Sequence, residues 1–294
     1  MKNLEGKVAA ITGAASGFGR ELARLAAKQQ MRLALADVQR DALDIVVKEL
    51  KRSGAVVISD VVDVAQSAQV QRFAEHAFSA YGTVSLLINN AGVGGGGYLW
   101  ENTARDWQWV MGVNLMGVVH GVQHFVPHML EANRRGEPGH VVNTASVAGW
   151  LSAPLMGVYN VSKHAVIALS ETLYHDLRLA QSSIGVSVLC PAFVPTGIAQ
   201  SFRYRPAELL NSEEVTASQR IAQSASEKAV AGGRISAQEV AQLTFDAVVD
   251  DRFYIFTHPQ ILPSVRARFD AVLSGGAPAD PYAAHPSARP LAPN

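Results

Sequence analysis

Short apolar runs, rich in β-branched residues, recur along the chain at 7–12 (KVAAIT), 32–36 (RLALA), 55–62, 85–89 (SLLIN), 140–144 (HVVNT), 185–190 (GVSVLC) and 253–256 (FYIF). Continuous runs of this length suit strands covered on both faces, as in a parallel sheet. Between them, apolar positions at helical spacing predict helices over 18–30, 40–52, 66–81, 104–132, 157–181 and 237–250. The last is opened by Ser236 with Glu239 three residues on, a capping-box spacing. The alternation predicts an α/β fold: a doubly wound parallel sheet of about seven strands with right-handed crossovers, in one domain over 1–274.

Two stretches break the pattern. Residues 195–233 follow the sixth strand and are polar, with Phe202, Tyr204, Leu209 and Leu210 scattered through them. An insertion at the carboxyl end of a strand is where a substrate lid sits, a surface loop being the alternative. The tail over 275–294 holds five prolines and six alanines, which predicts an extended segment, free or wrapped onto a neighbouring subunit.

Composition narrows the function classes. The chain is 48% hydrophobic and 17% charged, with 25 basic and 25 acidic side chains. That suits a sizeable core, and the absence of a basic block points away from nucleic acid and anionic membranes. The start (MKNLEGKVAAITG) has no signal-peptide core, and no apolar run approaches the ~18 residues of a membrane span. Cys190 is the only cysteine, which excludes an intramolecular disulfide and fits a reduced setting, so a cytoplasmic location is expected.

Candidate chemistry begins right after the first run, with TGAASGFG. Gly13, Gly17 and Gly19 there allow a sharp turn that brings backbone N–H groups against a pyrophosphate, and the next helix aims its positive N-terminus at the same anion. Asp37 ends the second run, placed to accept from adenosine ribose hydroxyls and to repel a 2′-phosphate. It favours NAD; Arg20 and Arg40 keep NADP possible. Asp63 is a candidate for the adenine amino group. Near the middle of the chain, Tyr159 and Lys163 (YNVSK) share a helical face one turn apart.

TG-x3-G-x-G, NNAG at 89–92, and Ser146 thirteen residues before Tyr-x3-Lys, in this order, resemble the short-chain dehydrogenase/reductase family over roughly 4–200. The resemblance implies a Rossmann-type fold, a nicotinamide dinucleotide, and a homodimer or homotetramer. Cofactor contacts would come from Gly13, Ser16, Gly17, Phe18, Gly19, Asp37, Asp63, Val64, Asn90, Ala91 and Gly92. Pro191, Val194 and Thr196, in PAFVPT, would meet the nicotinamide. Tyr159 would be the acid–base, its pKa lowered by the Lys163 ammonium, and Lys163 would also bond the nicotinamide ribose. Ser146 would donate to the substrate oxygen, and Asn114 would hold a water beside Lys163. Ala192 departs from the family pattern, which has glycine after the proline, and the run Gly94–Gly97 after NNAG is also unusual.

Bulky residues near these motifs (Trp150, Met156, Phe193 and Phe202) are the expected substrate pocket and favour an aryl or hydrophobic secondary alcohol or ketone. A weaker resemblance around 205–206 and 254–259 points to bacterial dehydrogenases of lignin-derived benzylic alcohols and bulky-ketone reductases. His120, His124 and His128 lie four apart, but nothing completes a zinc set, so no metal is expected. A same-fold epimerase or double-bond reductase and a non-catalytic dinucleotide-binding sensor are the alternatives; the full Asn114, Ser146, Tyr159, Lys163 set argues against the sensor.

Overall fold

The computed structural model describes residues 1–283, 286, 289 and 290; the rest of the expected extended tail lies outside the described residues. Strands β1 (Val8–Thr12), β2 (Arg32–Asp37), β3 (Val57–Val61), β4 (Leu86–Asn89), β5 (His140–Thr144), β6 (Gly185–Cys190) and β7 (Tyr254–Phe256) form one sheet ordered β3-β2-β1-β4-β5-β6-β7. Every neighbouring pair is parallel. All residues of β1, β5 and β6 are buried, as their unbroken apolar runs require of strands sandwiched between helices.

Helices α1 (Gly17–Lys28), α2 (Arg40–Arg52), α3 (Ser67–Tyr81), α4 (Ala104–Met111), α5 (Gly117–Arg134), α6 (Gly157–Leu179), α7 (Ala217–Ala231), α8 (Ala237–Asp250) and α9 (Leu262–Leu273) surround the sheet. Leu22 of α1, Leu43 of α2 and Phe245 of α8 belong to a core with Leu33, Leu35 and Ile88 on one face. Phe73 of α3, Phe125 and Met129 of α5, and Leu173 of α6 fill the other. Each such side chain contributes about 1.5–3 kcal/mol on burial. Among the described residues no helix is long and apolar enough to cross a membrane.

Three features differ from the sequence pattern. The helix expected over 104–132 is interrupted by a π-helical turn at Gly112–Met116, where the N–H of Gly117 reaches back to the carbonyl of Gly112. Residues 195–233 are largely helical: a 3-10 stretch over Gly197–Tyr204, then α7. The signal for α7 is present in the sequence as Thr216 with Gln219, which form a full capping box. Helix α9, which follows β7, was likewise not anticipated.

His140 shows how burial sets a charge state. Its side chain is almost wholly buried; Nε2 meets the Ser187 hydroxyl at 2.8 Å and Nδ1 lies 3.8 Å from the exposed Asp251 carboxylate. Burial, aided by the N-terminal ammonium, lowers its pKa to about 3. The unfolded chain takes up this proton near pH ~6.5, so the neutral ring's contribution to stability is complete above that pH and is lost as pH falls toward about 3. Urea denaturation should therefore show stability falling by up to ~1.4 kcal/mol per pH unit across this window. A His140→Leu variant should have a shallower acid limb; an identical limb would show that other groups set it.

Candidate active site

Because every strand runs the same way, Thr12, Asp37, Asn89, Thr144 and Cys190 all end on one rim of the sheet. The chain passes from β1 outward to β2 and β3, then returns to place β4 on the other side of β1, which opens a crevice at that rim.

The glycine loop lies there. Gly13 and Gly17 have left-handed φ of 67° and 49°, which an L side chain rarely adopts. A Cβ on Gly19 would sit 2.0 Å from the Gly13 carbonyl oxygen, and one on Gly13 would sit 2.8 Å from Ala91 Cα. The Asn90 side chain donates to the carbonyls of Thr12 (3.0 Å) and Gly13 (3.3 Å), while the Thr12 hydroxyl accepts from the N–H groups of Asn90 and Ala91. NNAG thus braces the loop directly. Ser16 is exposed at the start of α1, and Phe18 packs against the core.

Asp37 is buried at the end of β2 and accepts from the N–H of Ala15 and of Gln39, both at 2.9 Å. Burial raises its pKa, with these backbone donors acting the other way. Arg20 is drawn off to Glu49 of α2 (2.9 Å), which Arg24 also binds. Asp63 turns back on its own backbone, accepting from the N–H of Ala65 at 3.0 Å. Val64 is buried where Gly117 lets α5 approach: a Cβ there would fall 2.7 Å from a Val64 methyl carbon.

On the far side of β4, helix α6 brings Tyr159 and Lys163 to the end of β5. Lys163 is 3% exposed, donates to the Thr144 carbonyl at 2.9 Å, and has Nζ 5.7 Å from the centre of the Tyr159 ring. Burial lowers its pKa to about 8. Tyr159 is pushed up by burial, opposed by a hydrogen bond with Ser146. Ser146 Oγ faces the Pro191 carbonyl (3.2 Å) and accepts from the N–H of Ala148.

Asn114, in the π-helical turn, is fully buried and its amide is already committed. Oδ1 accepts from Val93 N–H at 2.8 Å; Nδ2 donates to the Val93 carbonyl and to Ser162 Oγ. Ser162 in turn donates to the Tyr159 carbonyl at 2.8 Å. The side chain therefore ties the loop after β4 to helix α6. Ser162 and Thr144 are site residues that spacing alone did not single out. Ser162 lies inside the quoted Tyr-x3-Lys segment and Thr144 two residues before Ser146.

Thr196 lies against the glycine loop: its Cβ is 3.4 Å from where a Cβ on Gly17 would be. The Val194 side chain belongs to the core. Ala192 is accommodated, its N–H facing His258 Nδ1 at 3.4 Å. Gly233 packs under the same segment, with a Cβ there 2.6 Å from the Phe193 carbonyl oxygen.

Of the expected substrate-pocket residues, Phe193 and Phe202 are exposed at the rim, and Met156 is partly buried just before α6. Trp150 is a correction. It is buried among Tyr254, Phe256 and Phe269, with its indole N–H toward Cys190 Sγ at 3.3 Å, so it is core and not pocket wall. The three histidines of α5 go separate ways: His120 to the Val64 carbonyl, His124 to Ser67, and His128 onto the Phe78 ring.

A family model described as short chain dehydrogenase matches residues 7–206, and the chain belongs to that family. It is similar to a short chain dehydrogenase/reductase from Burkholderia phymatum whose crystal structure holds NAD: 54% identical, TM-score 0.93, covering 95% of this chain and 99% of that one. It is 34% identical to a CLA biosynthesis dehydrogenase/reductase of Lactiplantibacillus plantarum, over 95% of this chain and 97% of that protein. It is 32% identical to a C alpha-dehydrogenase of Sphingobium sp., over 95% and 89% respectively.

Gly19 offers a direct check on the loop. In a Gly19→Ala variant the new methyl must displace the Gly13 carbonyl, so NADH binding followed by fluorescence should weaken by at least ~10-fold while circular dichroism stays native. Unchanged affinity would show that this turn does not cradle the dinucleotide.

Proposed function

We propose that the protein is an NAD-dependent oxidoreductase that interconverts a bulky, hydrophobic secondary alcohol and its ketone, with Tyr159 as acid–base. The observation that carries this reading is the convergence of Tyr159, Ser146 and Lys163 at the rim beside the glycine loop.

The residues fit a nicotinamide dinucleotide. The turn through Gly13, Gly17 and Gly19 has no room for side chains at Gly13 and Gly19 and leaves a helix N-terminus for the pyrophosphate. Asp37 carries a negative charge at the ribose end, and Arg20 is held by Glu49, which disfavours a 2′-phosphate and supports NAD over NADP. The adenine end is assigned to Asp63 and Val64, the ribose wall to Asn90, Ala91 and Gly92, and the nicotinamide to Pro191, Thr196 and the backbone of Val194. When bound, the dinucleotide supplies the hydride acceptor or donor.

The chain's own groups manage the oxygen and its proton. Ser146 donates to the substrate oxygen and holds it beside the Tyr159 hydroxyl. In oxidation Tyr159, as phenolate, takes the hydroxyl proton at Oη; in reduction it returns that proton to the carbonyl oxygen. The positive charge of oxidised nicotinamide opposes the burial that raises Tyr159, and Lys163, close to the ring, acts in the same sense. Lys163 also fixes the nicotinamide ribose. Apolar side chains at Phe193, Phe202 and Met156 favour a hydrophobic substrate, in keeping with dehydrogenases among the relatives.

Nicotinamide absorbance with a panel of aryl and alkyl secondary alcohols and ketones tests the assignment. Wild type should turn over at least one with NAD, and Tyr159→Phe should lose on the order of 10³-fold in kcat, with folding intact. Asp37→Ala should narrow the NAD preference by about 10-fold or more. The reading is overturned if Tyr159→Phe works as well as wild type.

A further inference from the structure

Gly94–Gly97 has no part in the chemistry above, yet all four positions are crowded. Helix α7 lies across the strip: a Cβ on Gly96 would fall 2.6 Å from Ala222 Cβ, and one on Gly97 would fall 2.7 Å from Gln219 Cγ. On the other side a Cβ on Gly95 would meet Val110 and Val158 at 3.1 and 3.2 Å. Gly97 has φ of 112°, and its N–H donates to the Leu155 carbonyl at 2.9 Å. Leu155 itself has a left-handed φ of 62°, a conformation a leucine holds only when its surroundings impose it. The strip therefore lies between the first turn of α6, two residues from Tyr159, and the underside of the lid.

The lid is fastened to the same loop at three other points. Gly94 N–H donates to Ser201 Oγ at 2.8 Å. Glu101 accepts from the hydroxyls of Thr216 and Ser218 at the start of α7, and Ser218 accepts from Tyr98 N–H at 2.9 Å. Asp106, at the start of α4, pairs with Arg205 at 2.6 Å. Both side chains are nearly nine-tenths covered, Asn211 donates to the same carboxylate, and the Arg205 guanidinium lies 5.2 Å from the centre of the Trp109 ring. A shielded, hydrogen-bonded ion pair of this kind is costly to break one partner at a time.

We propose that Gly94–Gly97 is a specificity-determining seat for the lid. By letting α7 rest on the loop backbone, the strip sets the height of the substrate cavity at the Gly96–Ala222 contact before any substrate arrives. For substrate this rests on the oxidoreductase reading above; for the lid's position it does not. Gly96 and Ala222 act through placement and touch no reacting atom.

The test uses full-length Gly96→Ala, Ala222→Leu and the double variant Gly96→Ala/Ala222→Gly, which trades one methyl across the contact. Trypsin cleavage at Arg203, Arg220 and Lys228 reads the lid without substrate. It should accelerate in both single variants and return toward wild type in the double. KM for the alcohol or ketone should rise at least ~10-fold in the singles with kcat changed less, while NADH affinity stays within ~2-fold. If Gly96→Ala does not fold, Ala222→Leu probes the same contact from the lid side. Unchanged cleavage in the single variants, a parallel loss of NADH affinity, or no recovery in the double variant would overturn the proposal. If wild type turns over no alcohol or ketone, the function fails while the cleavage arm still decides the seat.

Discussion

One buried carboxamide holds the site together. Asn114 bonds both backbone groups of Val93 and the hydroxyl of Ser162, which donates to the carbonyl of Tyr159. Three segments far apart in sequence, the loop after β4, the π-helical turn and helix α6, therefore meet at one side chain. A fully buried amide that satisfies two backbone groups has little freedom to move, because any displacement strands polar atoms away from water. The π-helical turn is the local cost of aiming that amide: an extra residue in the turn rotates Asn114 out of the regular helical path. Gly112 and Gly117 bracket it, and at both a Cβ would crowd the chain after β3.

Burial is the second organising force. Helix α6 delivers Lys163 to a place with almost no solvent, where its Nζ meets the Thr144 carbonyl and lies near the Tyr159 ring. The same desolvation raises Tyr159 and lowers Lys163 to about 8, so burial presses both groups toward their neutral forms. Cys190, directly before Pro191, is pushed up to about 12 by burial, which disfavours its thiolate.

Much of this was legible in the chain. The seven apolar runs became the seven strands within a residue or two because sandwiched strands leave no alternation to misread. The glycine loop was legible because the close approach of Gly19 to Gly13 leaves no substitute for hydrogen. Roles that depend on tertiary packing were not. The aromatic character of Trp150 says nothing about which side of the rim it occupies, and it is buried against Phe256, beside the exposed Tyr254 and Phe269. The run Gly94–Gly97 had no account in sequence because its partner, Ala222, lies more than a hundred residues away. Helix α7 was hidden by polar composition, although its Thr216–Gln219 capping box was there to be read.

The contacts between residues 94–106 and residues 201–222 also make the molecule modular in a specific way. Glu101 and Asp106 on one segment answer Ser218 and Arg205 on the other, and the glycine strip answers Ala222. Residues 195–233 grafted without residues 94–106 would bring Arg205 and the Thr216 and Ser218 hydroxyls to a surface lacking their carboxylates. The two stretches form one cassette, and recombination between such enzymes should respect a boundary that linear sequence does not mark.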